Sequence, residues 1–166
     1  MLDRFPNVPV LASGGIASGR ALAAVLGAGA DGASSGTAFL ATPECTQIPE
    51  EHKRIIVESD GEDTVFTRAY DVLWAAPWPD GIGERGRRNR FTDEWTGKED
   101  EVVARREELQ ARVQAAADDF EATGDRAVLY GQSAGAVNAI RPAAEVLRGI
   151  CDAAERILRE RTKILI

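Results

Sequence analysis

Two short turns rich in glycine and hydroxyl side chains are the part of this chain best suited to chemistry. Ser13-Gly14-Gly15 forms the first turn, and Ser34-Ser35-Gly36-Thr37 forms the second. Glycine lets the backbone adopt positive φ and lets an anion approach the amide N–H groups closely. A helix N-terminus behind such a turn favours an anion further. The pair therefore predicts a phosphate-binding corner, with two plain tight turns as the alternative.

A second motif suggests nucleophilic catalysis. Residues 131–135 read Gly-Gln-Ser-Ala-Gly and match the G-x-S-x-G pattern of serine hydrolases. Such an enzyme needs a base, normally a histidine, which follows the serine in α/β-hydrolases. The single histidine, His52, precedes Ser133 and lies in a polar stretch, where we expect a surface side chain. We therefore reject a hydrolase and assign no catalytic residue in this chain.

Strands and helices alternate around the two glycine turns. Residues 8–12 form a short apolar run, Ser18 can cap a following helix, and residues 30–34 suggest a second strand. Thr42-Pro43-Glu44 predicts the start of another helix, because proline and an acidic residue suit a first turn. This alternation implies an α/β fold with a parallel sheet, whose apolar strands we expect to be covered on both faces.

The middle of the chain has other patterns. Residues 54–57 and 64–67 suggest a β-hairpin around Asp60-Gly61. The basic residues 84–90 suggest a solvated surface loop, with a contact to a phosphate or a partner as the alternative. A long amphipathic helix is predicted from Glu99 to about Ala122.

We interpret the chain as one domain with three parts. Residues 1–50 hold βα units with the phosphate-binding loops, and residues 51–125 hold the hairpin, the loop and the long helix. Residues 126–166 hold the Gly-Gln loop and a last helix opened by Pro142, with an apolar stripe that includes Val146, Leu147 and Ala154.

Composition excludes several classes of partner. The chain has 166 residues and a formal net charge of −7, so a nucleic-acid partner is not expected. The absence of a long apolar run and of a signal-peptide pattern predicts a cytoplasmic protein without a membrane partner. Cys45 and Cys151 are far apart and form no CxxC, so neither a disulfide framework nor a metal site is predicted.

Several motifs together resemble the nitronate monooxygenases, formerly called 2-nitropropane dioxygenases. The resemblance begins with residues 9–16 and continues through Gly29-Ala30-Asp31-Gly32 and residues 36–45. It extends through Arg87 to Phe91 with Glu94-Trp95, then through Gly131-Gln132-Ser133 and Arg141 to Glu145. The first block is shared with barrels related to IMP dehydrogenase, and the later segments narrow the resemblance to the monooxygenases.

This resemblance implies the C-terminal part of a TIM (β/α)₈ barrel, comprising its last two or so βα units and a helical segment. It implies an FMN-dependent oxidation of alkyl nitronates by O2, with nitronate as the small-molecule substrate. Gln132 would lie near the cofactor or the active site. The residues that would hold the FMN phosphate are Gly14, Gly15, Ser34, Ser35, Gly36 and Thr37.

The chain also departs from this family. It is shorter than the roughly 250 residues of a complete barrel. The catalytic histidine of the family lies on a Gly-Gly-His segment before the Gly-Gly turn, and these 166 residues contain no such segment. We therefore expect a C-terminal fragment that is inactive alone, completed by a separate N-terminal half chain in the case of a split gene. A natural short form, a flavin-dependent enoyl-thioester reductase and a non-catalytic phosphate-binding remnant remain the alternatives.

Overall fold

The computed structural model describes residues 4–5, 7–121 and 123–162. The chain forms two compact units. The first unit comprises Met1–Gly61 and Gly131–Ile166, and the second comprises Glu62–Tyr130. The two glycine turns and the Gly-Gln loop therefore belong to the first unit, whereas the basic segment belongs to the second.

The first unit contains the predicted strand–helix–strand arrangement. β1 (Leu11–Ser13) pairs in parallel with β2 (Gly32–Ser34), and α1 (Gly19–Gly27) connects them. Ser18 caps α1, because its side chain accepts a hydrogen bond from the Ala21 N–H at 3.2 Å. The predicted parallel pairing and the Ser18 cap are confirmed, with strands shorter than expected.

Asp31 connects the beginnings of the two strands. Its backbone N–H donates to the Val10 carbonyl at 2.9 Å, and its carboxylate accepts from the Val10 N–H at 2.8 Å. Both polar groups of the Val10 backbone are thereby satisfied by one residue. The Gly29-Ala30-Asp31-Gly32 sequence thus has a structural role just before β2.

The expectation that both strands would be covered on their two faces is wrong for this structure. Residues of β1 and β2 are exposed or half-buried, and Leu11 keeps 66% of its surface accessible. A parallel strand with apolar side chains normally packs against other elements on both faces. The sheet pair therefore presents apolar surface and backbone edges to solvent.

Besides α1, the described part of the first unit contains further helical segments. They are α2 (Thr37–Leu40), α3 (Glu50–Glu58), the 3₁₀ helix Gln132–Ala136 and the C-terminal helix, which spans Ala143–Thr162. The C-terminal helix begins after Pro142 as predicted and packs against α1. Its Val146 and Ala154 are buried, whereas Leu147, which we assigned to the same stripe, is exposed.

Two predictions of local structure in the first unit are wrong. Thr42-Pro43-Glu44 forms turns rather than a helix start, because the Thr42 hydroxyl donates back to the Phe39 carbonyl at 2.8 Å and so follows the end of α2. Residues 54–57 belong to α3 and not to a hairpin strand. Glu50 and Glu51 in the first turn of α3 favour that helix, since acidic groups suit its positive end.

The second unit is built on an antiparallel strand pair. β3 (Thr64–Thr67) pairs with β4 (Glu84–Arg87), with Thr64 opposite Arg87. The basic residues predicted as a solvated loop therefore form a strand in their first half. The partner of residues 64–67 is β4 and not the predicted 54–57 strand, because those residues are helical.

Short helices cover the core of the second unit. They are α4 (Ala69–Leu73), α5 (Arg90–Trp95), α6 (Glu99–Ala104) and α7 (Arg106–Ala115), so the C-terminal helix described above is α8. The core contains Tyr70, Leu73, Phe91, Trp95, Val102, Leu109 and Val113.

The single long helix predicted from Glu99 is wrong. Arg105, with φ −113° and ψ 22°, leaves helical geometry and separates α6 from α7. Helix α7 ends at Ala115, so Phe120 is not on it, and Ala122 lies outside the described residues. Val102 of α6 and Leu109 of α7 both belong to the core of the second unit.

Candidate functional site

The strand register brings the two glycine turns together. Ser13 of β1 is the register partner of Ser34 of β2. In a parallel pair, segments that follow partner residues leave the sheet at the same edge. Gly14-Gly15 and Ser35-Gly36 therefore lie side by side at the carboxyl end of the two strands. The sequence alone shows these turns as two similar motifs and does not show that they are adjacent.

The first turn has a backbone that favours glycine. Gly14 and Gly15 have φ of +90° and +73°, a region that side-chain-bearing residues rarely adopt. Both residues are exposed, and a Cβ added at either position would meet nothing within 4 Å. The space in front of this backbone is open, so an anion can approach it closely.

The second turn is anchored by its hydroxyl groups. Ser34 and Gly36 are exposed, Ser35 is half-buried, and Thr37 is buried at the start of α2. The Ser35 hydroxyl donates to the Ile16 carbonyl at 2.5 Å. Because Ile16 directly follows Gly15, this bond ties the second turn to the first.

The Gly-Gln loop reaches the same corner through Thr37. The Gly131 N–H donates to Thr37 Oγ1 at 3.0 Å. Gln132, the first residue of the 3₁₀ helix, is exposed beside it in the chain. Sequence reasoning associated Gln132 with the cofactor and missed Gly131, although the Gly-Gln pair after an apolar run was a usable signal.

Two glycines hold the Gly-Gln loop against the turn that follows α3. A Cβ at Gly61, where φ is +88°, would lie 2.3 Å from the Gln132 carbonyl oxygen. A Cβ at Gly135 would lie 2.3 Å from the Asp60 carbonyl oxygen. Backbone therefore packs directly on backbone at both points, and side chains larger than hydrogen do not fit.

The structure around Ser133 also differs from the active site of a serine hydrolase. The residues before Ser133 contribute an isolated bridge at Leu129 instead of a strand, and Ser133 itself lies in a 3₁₀ helix. A nucleophile elbow requires a strand-to-helix turn. His52 is not on the surface as predicted, because it lies on the buried face of α3 and is 5% exposed.

The basic segment of the second unit has a structural role. Asn89 is the N-cap of α5 in a capping box with Thr92. Its side-chain amide also donates to the Arg126 carbonyl at 2.7 Å, and the Tyr70 hydroxyl donates to the Asp125 carbonyl at 2.8 Å. Burial raises the pKa of Tyr70 well above its usual range, so this hydroxyl remains a donor.

Asp125 is a buried carboxylate held by two arginines. It is 1% exposed, and Arg112 donates to both of its oxygens at 2.9 and 2.7 Å, while Arg90 also donates to both. Burial alone would raise the pKa of Asp125, but hydrogen bonds from Arg112 and Arg90 outweigh it and lower the value to about 2. The group is therefore ionised throughout the neutral range and acts as a fixed anchor.

Glu84 shows the opposite perturbation. Burial and the nearby charge of Asp71 raise the pKa of Glu84 to about 7. Burial also raises the pKa of Asp71, while Arg68 and a hydrogen bond from Trp78 oppose this shift. These carboxyl groups belong to the second unit and are separate in sequence from the glycine turns.

A metal-binding cluster and a membrane-spanning helix are both absent from the part of the chain that the structure describes. Residues 4–5, 7–121 and 123–162 bring together no group of three or more His, Cys, Asp or Glu side chains suited to a metal ion. Within the same ranges, no helix combines the length and the apolar character needed to cross a membrane.

Comparison with known proteins agrees with the motifs around the corner. A family model described as nitronate monooxygenase matches residues 2–153. A nitronate monooxygenase of Metarhizium robertsii is 32% identical over 155 residues, which cover 92% of this chain and 43% of the relative. A probable nitronate monooxygenase of Staphylococcus aureus strain Newman is 33% identical over 132 residues, covering 76% of this chain and 34% of the relative.

Solved structures are similar over nearly the whole chain. FabK from Thermotoga maritima matches with a TM-score of 0.77 and 30% identity, over 99% of this chain and 50% of that protein. A nitroalkane oxidase from Streptomyces ansochromogenes matches with a TM-score of 0.71 and 30% identity, over 94% of this chain and 42% of that protein. The chain thus spans half or less of the length of these proteins, and the matched family residues include both glycine turns and the Gly-Gln loop. The chain belongs to the nitronate monooxygenase family.

Proposed function

We propose that this chain supplies the phosphate-binding corner of an FMN-dependent nitronate monooxygenase. The observation that carries the proposal is the side-by-side position of Gly14-Gly15 and Ser34 to Thr37 at one edge of the parallel strand pair. The carboxyl edge of parallel strands is where phosphate groups bind in α/β barrels. Membership in the family supports the choice of cofactor and substrate.

The residues of the corner fit a phosphate group. The positive φ of Gly14 and Gly15 and the open space before them suit close approach of an anion to backbone N–H groups. Ser34 and Gly36 are exposed at the neighbouring turn. Ser35 contributes by fixing the distance between the turns, since its hydroxyl hydrogen is used by the Ile16 carbonyl.

The role of this chain is binding and orientation. When bound, FMN would supply the redox chemistry that removes electrons from an alkyl nitronate and passes them to O2. The corner would hold the phosphate end of the cofactor, which fixes where the rest of the molecule lies. We assign no proton transfer to this chain and propose that it is not catalytic alone.

We also propose that the strand pair is part of a (β/α)₈ barrel completed by a segment outside these 166 residues. The exposed Leu11 and the open edges of β1 and β2 support this, because unpaired strand edges and uncovered apolar strands are unfavourable in water. The matched proteins are at least twice as long as the aligned region. The completing segment would lie in the same polypeptide or in a separate N-terminal half chain.

Substitution of Gly15 by aspartate tests the phosphate assignment. A carboxylate at this position would face the phosphate at short range, so we expect FMN affinity to fall by about 10-fold to 100-fold. Riboflavin, which lacks the phosphate, should lose little affinity. Isothermal titration of the completed protein with both flavins measures the difference.

Gly97→Asp is the matched control. Gly97 also has a positive φ, +81°, and a Cβ there would meet nothing within 4 Å, but it lies in the second unit. This variant should bind FMN like the unsubstituted protein. Equal loss of FMN and riboflavin binding in Gly15→Asp, or no loss at all, would contradict the phosphate assignment.

The enoyl-thioester reductase alternative shares the phosphate corner, so binding alone does not separate the two activities. Substrate assays on the completed protein do. We expect O2 consumption with an alkyl nitronate, whereas oxidation of a nicotinamide cofactor with an enoyl thioester would support the alternative. FMN binding without either reaction would support a non-catalytic binding module.

A further inference from the structure

The hydrogen bond between Gly131 and Thr37 determines what the Thr37 hydroxyl can do. A threonine hydroxyl has one hydrogen and two acceptor lone pairs. Thr37 Oγ1 accepts from the Gly131 N–H at 3.0 Å, and this bond uses a lone pair and leaves the hydroxyl hydrogen available. The hydrogen must point away from the Gly131 N–H, since two hydrogens on one axis repel.

We propose that Gly131 is a positioning residue that orients the Thr37 hydroxyl to donate to the cofactor phosphate. This inference rests on the proposed function, because it assumes that the anion binds beside Gly36 and Thr37. A hydroxyl that already accepts a hydrogen bond is polarised and becomes a stronger donor. Gly131 would therefore strengthen phosphate binding without contacting the phosphate.

The position of Gly131 is itself fixed by neighbouring backbone. Gly131 precedes the 3₁₀ helix and its carbonyl accepts from the Ala134 N–H at 3.0 Å. The close backbone contacts at Gly61 and Gly135 hold that helix against the Asp60-Gly61 turn. A change at this turn would consequently be transmitted to Thr37 through the Gly131 N–H.

Substitutions at two sites separate this role from simple packing. Thr37→Val keeps the shape of the side chain and removes the hydroxyl, whereas Thr37→Ser keeps the hydroxyl. Gly135→Ala leaves Thr37 intact but places a Cβ 2.3 Å from the Asp60 carbonyl oxygen, so the loop must move. Gly149→Ala is the control, because a Cβ there meets nothing within 4 Å.

NMR titration of the completed protein with FMN and with riboflavin provides the measurement. The readout is the ratio of the two affinities, followed through the amide signals of Gly14, Gly15 and Gly36. Hydrogen exchange of the Gly131 amide reports whether its bond to Thr37 is intact. Riboflavin controls for general loss of structure, since it lacks only the phosphate.

We expect Thr37→Val to lower the preference for FMN over riboflavin by about 10-fold or more, as for a lost hydrogen bond to a charged group. Thr37→Ser should restore most of the preference. Gly135→Ala should lower the preference for FMN when Thr37 is present. In a protein that already carries Thr37→Val, it should cause no further decrease in that preference. Gly131 amide exchange should accelerate in Thr37→Val and in Gly135→Ala.

Different outcomes reject different claims. If FMN moved none of the corner amides, the proposed phosphate site and this inference would both be wrong. A second outcome would reject the inference alone. In it, FMN binds at the corner and Gly135→Ala speeds hydrogen exchange of the Gly131 amide, but the variant keeps the full preference for FMN over riboflavin. Should Gly135→Ala fail to fold, an unchanged preference in Thr37→Val would still refute it.

Discussion

Replacing Asp125 by asparagine should destabilise the second unit by about 2 kcal/mol at neutral pH. Arg112 and Arg90 lower the pKa of Asp125 from 3.8 to about 2, against the effect of burial. At about 1.36 kcal/mol for each unit of pKa, this difference corresponds to about 2 kcal/mol of stability. Removing one partner of a fully buried pair costs more, about 3 to 5 kcal/mol. Arg90 and Arg112 are partly exposed, so water can solvate them when the carboxylate is removed. We therefore expect a loss of about 2 kcal/mol.

The sign of the pH dependence follows from the depressed pKa. The stabilisation by Asp125 is fully present above the unfolded value of 3.8 and is lost as the pH falls through about 2. The difference in stability between the unsubstituted protein and Asp125→Asn should therefore be constant near neutral pH. It should shrink as the pH approaches about 2.

Tryptophan fluorescence during urea unfolding measures this effect selectively. All three tryptophans, Trp74, Trp78 and Trp95, lie in the second unit, and Trp95 is buried in its core. The free energy of unfolding should be compared at about pH 7 and at about pH 2, because the difference between proteins isolates the Asp125 contribution.

Asp93→Asn provides a matched control in the same unit. Asp93 pairs with Arg88 at 2.9 Å, but both side chains are more than half exposed, so its loss should cost at most about 1 kcal/mol. A deficit for Asp125→Asn no larger than that of the control would refute the reasoning. So would a deficit that persisted undiminished at about pH 2.

Three further predictions concern folding. Glu84→Gln should stabilise the protein at about pH 8 by about 1 to 2 kcal/mol, a figure reduced for solvent screening of this half-buried group, and should have little effect below about pH 4.5. Burial and Asp71 raise the pKa of Glu84 to about 7, so the protein loses stability as the pH rises through about 7 and the carboxyl ionises; equal effects at both pH values would contradict this. Ser18→Ala should lower thermal stability by about 1 kcal/mol through loss of the α1 cap, and an unchanged melting temperature would count against that cap. Gly19→Ala should cost about 1 to 3 kcal/mol, because its Cβ would lie 2.4 Å from Ala153 Cβ; calorimetry that shows no loss would refute the close packing of α1 on α8.

Local signals predicted the first unit best. The Ser18 cap, the alternating strands and helix of residues 11–34, and the start of α8 after Pro142 depend on short-range propensities, and the structure contains all three. One failure arises where a side chain bonds to the preceding element instead of beginning a new one. Thr42 uses its hydroxyl for the Phe39 carbonyl instead of capping a new helix.

His52 illustrates a second kind of failure. Its charged neighbours Glu50, Glu51 and Lys53 led to the prediction that His52 lies on the surface. In α3, however, His52, Lys53, Ile55 and Ile56 fall on the buried face, and Lys53 remains paired with Glu50 at 2.6 Å. The buried residues of α3 follow helical spacing in the sequence. The prediction gave more weight to the charged residues of the segment than to this spacing.

The candidate site was predictable as two motifs and not as one corner. Gly14, Gly15 and the Ser34 to Thr37 turn are recognisable by composition alone. The bond from Ser35 to Ile16 depends on the register of β1 and β2, and the bond from Gly131 to Thr37 joins residues 94 positions apart. Such pairings follow from the tertiary fold and leave no periodic pattern in the sequence. The assignment of these residues to FMN stays a prediction.

The two hydrogen bonds between Asp31 and Val10 have a consequence for the precision of the corner. Short parallel strands of three residues have few ladder bonds to prevent sliding. A slip by one residue would move one turn by about 3.3 Å relative to the other and would reverse the faces of the strand. That displacement is as long as a hydrogen bond, so it would disrupt the alignment of the two turns on which the proposed anion site depends. Asp31 thus sets the alignment of the two turns from the opposite end of the strands, and Asp31→Ala would act on the corner at a distance.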